Sequence, residues 1–322
     1  MKKMRLLALA SLMTVAATSG AAAQSYPSRT IKIIVPFGAG GPADVYARVI
    51  AENLTKTIGQ SVVVENRPGA GAVVGTNEAA KSAPDGYTLL MMSNAQATNE
   101  SLIPNKPYAL MRDFAPVAAV NYSDLVMVIH PSVPAKTLKE FIALVQSRPN
   151  AFNYASSGPG SPYHMAEELF KAMSKTEIVH VPYKDSGGAR NDVLAGHVHM
   201  MFDAVTTMAQ NIDTGKAIAL GTSGDKRADV LPNVPTLSEA GVTGYSATIW
   251  LGIMAPKATP KEIVTRLNSE INKIQQDPTI KAAWDKQGAI PYNMSADEFG
   301  AFLDKEITKW GEVVRVSGAR VQ

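Results

Sequence analysis

The 322-residue chain contains no cysteine. Disulfides, thiolate metal sites and cysteine nucleophiles are excluded from the outset. Charge is sparse too: 18% of residues are Asp, Glu, Lys or Arg, against 46% hydrophobic. The formal net charge of +3 is misleading, because Lys2, Lys3 and Arg5 fall in a segment that reads as removed, leaving 28 basic against 28 acidic residues. A neutral mature chain offers nucleic acid no counterion-release term, so no nucleic-acid partner is expected. Aromatics are few at 7%, and the 24 glycines and 20 prolines are dispersed, which removes collagen-like and low-complexity readings. After the N-terminus no apolar run is long and uninterrupted enough to span a bilayer.

What is present begins with an export pattern. Met1 to Arg5 is a basic n-region, Leu6 to Thr18 is an apolar stretch too short to cross a membrane, and Ala21-Ala22-Ala23 supplies small residues for cleavage. Residues 1–23 are therefore expected to be a signal peptide, with a mature start near Gln24 and no cysteine behind it to carry a lipid. The expected location is a bacterial periplasm, where nucleotide cofactors are scarce.

At about 100–200 residues per domain, the length fits one large or two medium units. Short β-rich runs alternate with helical segments, the pattern of an α/β protein with largely parallel sheets. Strands are expected at 31–36, 61–65, 88–92, 125–129, 178–182, 200–202 and 217–220. Thr137 with Glu140, Thr259 with Glu262 and Ser295 with Glu298 each have capping-box spacing, and Pro260 falls at a first helical position. Ile263, Val264, Leu267, Ile271 and Ile274 make an apolar stripe that reads as core packing. Two proline-flanked apolar runs, 114–128 and 246–256, read as passages between lobes. The expectation is a two-lobed α/β protein with a cleft, residues 24–120 with 251–322 in one lobe and 121–250 in the other.

The most informative stretch is Val35-Pro36-Phe37-Gly38-Ala39-Gly40-Gly41-Pro42-Ala43-Asp44. An apolar strand enters a glycine turn, and Pro42 opens a helix whose inner side is expected to carry Val45, Val49 and Leu54. Unpaired N–H groups at such a helix start, with the positive end of the dipole, bind an anion without a basic side chain. The same design recurs at Ser156-Ser157-Gly158-Pro159-Gly160-Ser161-Pro162-Tyr163-His164, where Ser161 is the expected N-cap and Met165, Leu169 and Met173 follow at helical spacing. Either loop alone is also an ordinary strand-to-helix turn, in which Asp44 orients the first turn and His164 bonds a nearby carbonyl. Facing each other across a cleft, the pair suits a ligand with separated carboxylates. Two further candidates are the loop at Asn66–Gly71 and the polar loop Ser93–Thr98.

Two enzymatic readings compete. Gly38-x-Gly40-x-x-Ala43, with Glu65 about twenty residues on, fits a dinucleotide fingerprint and hence an NAD-dependent oxidoreductase. Against it, Pro36 and Phe37 separate strand from glycines, Pro42 stiffens the turn where pyrophosphate must approach, and export removes the chain from NAD. An exported serine hydrolase needs a G-x-S-x-G elbow, which is missing, although Ser157 or Ser161 with His164 and Asp203 is a conceivable triad. His197-x-His199 has metal-pair spacing but no third ligand, and reads as a polar strand edge. No metal, cofactor or catalytic residue is expected.

The stretches VPFGAGGPAD (35–44), ENRPGAGAVVGT (65–76), NYASSGPGSPYHMAEELFK (153–171), HVPYKDSGGARNDVLAGHVHMMFD (180–203) and LPNVPTLSEAGVTGY (231–245), with the C-terminal 282–314, resemble the Bug/TctC family. These are periplasmic substrate-binding receptors of tripartite tricarboxylate transporters, and the resemblance runs the length of the mature chain. It implies a monomeric Venus-flytrap receptor that closes on a small mono- or dicarboxylate, an aromatic one included, and hands it to the transporter's membrane subunits. Carried onto this sequence, it points to Phe37, Ala39, Gly41 and Asp44 from the first loop and to Ser157, Gly158, Gly160, Ser161 and His164 from the second. Asp203 matches the aspartate closing the family's MFD-type strand, and Ser93 and Asn94 complete one wall. Two departures stand out: Tyr183-Lys184-Asp185-Ser186-Gly187-Gly188-Ala189 replaces the usual Tyr-Lys-Gly-x-x-Pro-Ala, and Ser93–Thr98 is more amide-rich than usual.

Overall fold

The β-branched run IKIIV forms β1 (Ile31–Val35), and Pro42 begins α1 (Pro42–Ile58), which ends at Gly59 in the left-handed region, φ 73°. The computed structural model describes residues 26–317 and Ala319, so the expected signal peptide lies outside it. The chain continues through β2 (Val62–Asn66), α2 (Val73–Ala80), β3 (Thr88–Ser93), α3 (Asn94–Leu102), α4 (Leu110–Asp113) and the long β4 (Phe114–Ile129). Then come α5 (Leu138–Ser147), β5 (Asn153–Ser156), α6 (Pro162–Ser174), β6 (Val179–Pro182), α7 (Ser186–Leu194), β7 (Met200–Ala204), α8 (Val205–Asp213) and β8 (Ile218–Thr222). The last quarter holds β9 (Thr248–Pro256), α9 (Lys261–Gln276), α10 (Pro278–Asp285), β10 (Ala289–Pro291) and α11 (Ala296–Ser317). Among the described residues no helix is long and apolar enough to cross a membrane.

The strands follow the order β2-β1-β3-β9-β4-β7-β5-β6, with β8 and β10 also on β4. The two outer triplets, β2-β1-β3 and β6-β5-β7, are parallel, as βαβ crossovers require. The centre is not: β9, β4, β8 and β10 pair antiparallel, so the largely parallel sheet expected from the alternation is a mixed one. β4 changes partners along its length. Phe114 to Asp124 lies against β9, and Leu125 to Ile129 against β7. The chain returns beside the same point, where Ser223 exchanges hydrogen bonds with Leu125 and accepts the N–H of Ala247.

Helix faces are set by burial. In α9, Val264, Leu267, Ile271 and Ile274 are buried, as their spacing implies. In α1 the inner face is instead Tyr46, Ala47, Ile50 and Leu54; Val45 is exposed and Val49 lies at the edge. Small residues there let the helix sit close to the sheet, and an apolar pattern that ignores Ala and Tyr misplaces the face by about one residue. In α6, Met165 is buried but Met173 is exposed, and Phe170 takes its place in the core. The capping boxes at Thr137 and Ser295 form. The one expected at Thr259 does not: Pro260 is itself the N-cap, α9 starts at Lys261, and the buried Thr259 hydroxyl has no partner among the described residues.

Candidate ligand site

In both parallel triplets the strands deliver their C-terminal ends to helix starts, so α1, α3, α6, α7 and α8 begin along the same cleft. The first glycine turn is held from within. Gly40 has φ 79°, and its N–H donates to Asp44 Oδ2 at 2.9 Å. Asp44, 4% exposed, also has the Arg48 guanidinium 2.8 Å from Oδ1. Burial pushes this carboxyl up, but Arg48 and the Gly40 N–H outweigh it and hold it below its ordinary value. Asp44 thus turns inward and shapes the loop, while Ala39 at the tip is exposed and Phe37 is half-buried, its carbonyl accepting from Asn66. The N–H groups of Gly41 and Ala43 meet no acceptor among the described residues.

The second turn is braced by an aromatic stack. Gly158 and Gly160 adopt φ 101° and 75°, and the Gly158 N–H donates to Ser156 Oγ at 3.1 Å. Ser161 caps α6 by accepting the backbone N–H of His164, and His164 Nδ1 accepts the N–H of Gly160 at 3.1 Å. His180 stacks on His164 at 4.4 Å and on Tyr154 at 4.7 Å, and its Nε2 lies 2.6 Å from Ser156 Oγ. Burial lowers His164 to about 4 and His180 to about 3, so both rings are neutral and His164 Nδ1 is free to accept. The N–H groups of Ser157 and Tyr163 have no acceptor among the described residues.

Contacts at the glycines show what each turn meets across the cleft: the first meets the start of α7, and the second meets the Gly71 loop and α3. A Cβ on Gly38 would lie 3.3 Å from Asp185 Cβ, and one on Gly41 would lie 3.7 Å from Ser186 Oγ. One on Gly71 would lie 3.2 Å from the Pro159 carbonyl, and one on Gly160 would lie 3.0 Å from Asn99 Oδ1. The Ser93–Thr98 segment, expected as a loop, is the first turn of α3: Ser93 caps it, Gln96 closes a capping box, and Asn94 is buried with its amide donating to the Thr248 carbonyl. Asp203 is fully buried. Its Oδ2 receives Arg190 Nε at 2.5 Å, and its Oδ1 receives Arg190 Nη2, the Ala204 N–H and the Thr207 hydroxyl.

This arrangement bears on the enzymatic alternatives. The Ser161 hydroxyl is engaged as a cap and Asp203 is paired with an arginine, so the conceivable Ser–His–Asp grouping is not assembled. Glu65, the acid of the dinucleotide pattern, pairs with Lys32 and Arg67. His199 bonds Asn153 and His197 faces Asp192; among the described residues no group of three metal-type ligands occurs. Sequence reading singled out Asp203 but missed Arg190, its partner on α7, and Tyr163 beside it. A basic residue in the Gly-Gly-Ala-Arg turn of a chain short of charge was the available signal.

Residues 46–319 match the family model described as the tripartite tricarboxylate transporter family receptor, TctC. The chain belongs to this receptor family. BugT of Bordetella pertussis is 39% identical over 328 residues, covering 100% of both chains. An R. palustris protein solved with adipate is 32% identical with a TM-score of 0.88, covering 92% of this chain and 100% of its own. MatC from Rhodopseudomonas palustris, solved with malate, is 30% identical with a TM-score of 0.85, covering 90% of this chain and 100% of its own. The fold is the two-lobed α/β architecture of periplasmic binding proteins, and the TctC family consists of periplasmic solute-binding receptors rather than enzymes.

Proposed function

We propose that this TctC-family chain is a periplasmic solute receptor that closes two lobes around a small organic carboxylate and delivers it to the membrane subunits of a tripartite tricarboxylate transporter. The lobes are residues 24–120 with 251–322, and 121–250. The change of partners within β4 at Asp124 and Leu125, a few residues past the first boundary, supports that division. The observation that carries the reading is a pair of glycine turns, each opening a helix, each with N–H groups unpaired among the described residues, and each meeting a segment from the other half of the sheet. Neither turn contains a basic side chain, so the donors for an acid are backbone amides. Charge-assisted bonds contribute about 1.5–3 kcal/mol each, so three or four bring a small acid near micromolar affinity after ordering costs. The adipate and malate held by two relatives are acids of this size.

The bound residues are proposed to be Phe37, Ala39, Gly41, Ser93, Asn94, Ser157, Gly158, Gly160 and Ser161, with Asp44, His164 and Asp203 fixing the loops and the charge around them. A thermal-shift and calorimetric panel of succinate, malate, adipate, butyrate, hexanoate and NAD tests this. Ligand at 100 times its Kd adds about 2.7 kcal/mol of stability, a readable shift. Gly41→Val and Ser161→Pro are expected to abolish binding in a folded protein. A shift with NAD alone, or unchanged affinity in both variants, defeats the proposal.

A further inference from the structure

Tyr163 is a buried polar residue of the cleft whose side chain the loops do not use. Tyr163, the second residue of α6, is 3% exposed, and its hydroxyl has no hydrogen-bond partner among the described residues. An unpaired hydroxyl in that position is costly unless something completes it. The groups acting on it are Ser186, Arg190 and Asp203. Ser186 opens α7 and is the side chain that approaches Gly41 of the first glycine turn. The Tyr163 hydroxyl is therefore grouped with residues that meet the first loop, at the junction of three helix starts.

Arg190 completes the cluster. Its side chain is 17% exposed and fixed by two bonds to Asp203, through Nε and Nη2. Its Nη1 bonds no protein group among the described residues. Asp203 has its own oxygens occupied by Arg190, Ala204 and Thr207, which leaves little capacity to receive a ligand ammonium. Asp185, at the exposed rim, accepts the Gly188 N–H. Around Arg190 the inner groups left over can donate: guanidinium N–H, the Tyr163 phenol, which burial keeps protonated, and the Ser186 hydroxyl, while the unpaired Asn94 and Asn99 amide oxygens lie on the α3 wall. Such a set matches a carboxylate, and a guanidinium locked by a second-side aspartate presents its remaining N–H groups without a rotamer cost.

We propose that Arg190, Tyr163 and Ser186 form a second anion subsite that takes the far carboxylate of a dicarboxylic acid, the near one lying on the glycine turns. This rests on the carboxylate-receptor reading above and narrows its substrate class to diacids. Asp203 is a positioning residue within the subsite.

The test is calorimetry on two length-matched pairs, succinate with butyrate and adipate with hexanoate. The wild-type protein is expected to prefer the diacid in at least one pair. In Tyr163→Phe that preference falls by about tenfold, the loss of one hydrogen bond to a charged group. The unliganded variant is expected to melt close to wild type, because among the described residues the hydroxyl makes no well-formed hydrogen bond and has only the Ser186 hydroxyl near it; a residue serving only structure would not separate the two readouts. Arg190→Gln leaves Asp203 buried without its cation, so Arg190→Lys, which keeps the charge but not the fork, is the second variant and is also expected to lose preference. An unchanged diacid preference in both variants, or equal binding of mono- and diacid by wild type, overturns the subsite alone. Binding of none of the four acids overturns the carboxylate reading, and the subsite with it.

Discussion

His164 is the residue on which the second turn depends. Its ring accepts the Gly160 N–H and stays neutral because burial lowers it to about 4. An unfolded histidine titrates near 6.5, so the unfolded state takes up a proton first as the pH falls. The stability tied to the neutral ring is whole above about 6.5 and is lost between there and about 4. Glu167, pushed well above its ordinary value by burial, has the opposite slope, but it is common to wild type and variant. The difference in Tm between wild type and His164→Gln is therefore expected to shrink as pH falls from about 6.5 to 4 and to stay constant above that. A difference that does not vary with pH shows that the ring is not the neutral acceptor. At this scale the sequence was partly legible. His164 and Asp44 stood out beside glycines, but their inward direction depends on Gly40 and Gly160 adopting left-handed φ, which pattern reading does not provide. Arg190 was hidden because its partner Asp203 lies on another element.

Among the elements, β1 to β4 and β6 to β8 were read at least in part from apolar β-rich runs, and helix ends from proline and capping boxes, whereas β5, β9 and β10 were not among the expected strands. Two further exceptions share one cause, tertiary burial overriding local chemistry. Thr259 has the spacing of a cap, yet α9 begins after Pro260 and the hydroxyl is sealed without a partner among the described residues. Ser93–Thr98 is polar enough for a loop, yet its amides are consumed inside: Gln96 donates to the Thr76 hydroxyl, and Asn94 donates to the Thr248 carbonyl. The two threonines give a paired expectation. Thr137→Ala removes a working cap and is expected to cost about 1 kcal/mol. Thr259→Val removes an unpaired buried hydroxyl of the same shape and is expected to be neutral or stabilising. Urea denaturation of both variants decides it; equal losses mean that Thr259 caps in solution.

For the whole molecule, acidic and basic residues balance once Lys2, Lys3 and Arg5 are set aside, and the cleft's own arginine is already paired. Binding by buried dipoles is screened far less than binding by surface cations. Affinity for a carboxylate that binds is expected to change less than about threefold between 0.05 and 0.5 M NaCl, where a basic surface site would weaken much more. Titration at the two salt concentrations checks this, and a steep decline points to a cationic surface site instead.

The shared strand β4 also sets an order of assembly. Leu90 to Ser93 of β3 find their antiparallel neighbours only in Leu251 to Met254 of β9, and Phe114 to Asp124 of β4 wait for the same strand. The segment from β5 to β8, by contrast, pairs with the end of β4 as soon as it exists. A chain emerging from the ribosome can therefore zip one half of its sheet early, while the other half carries an open, apolar edge until the final quarter is made. Non-local closure of this kind is slow. It keeps the polypeptide threadable for most of its synthesis, and makes β9 the latch that ends that period.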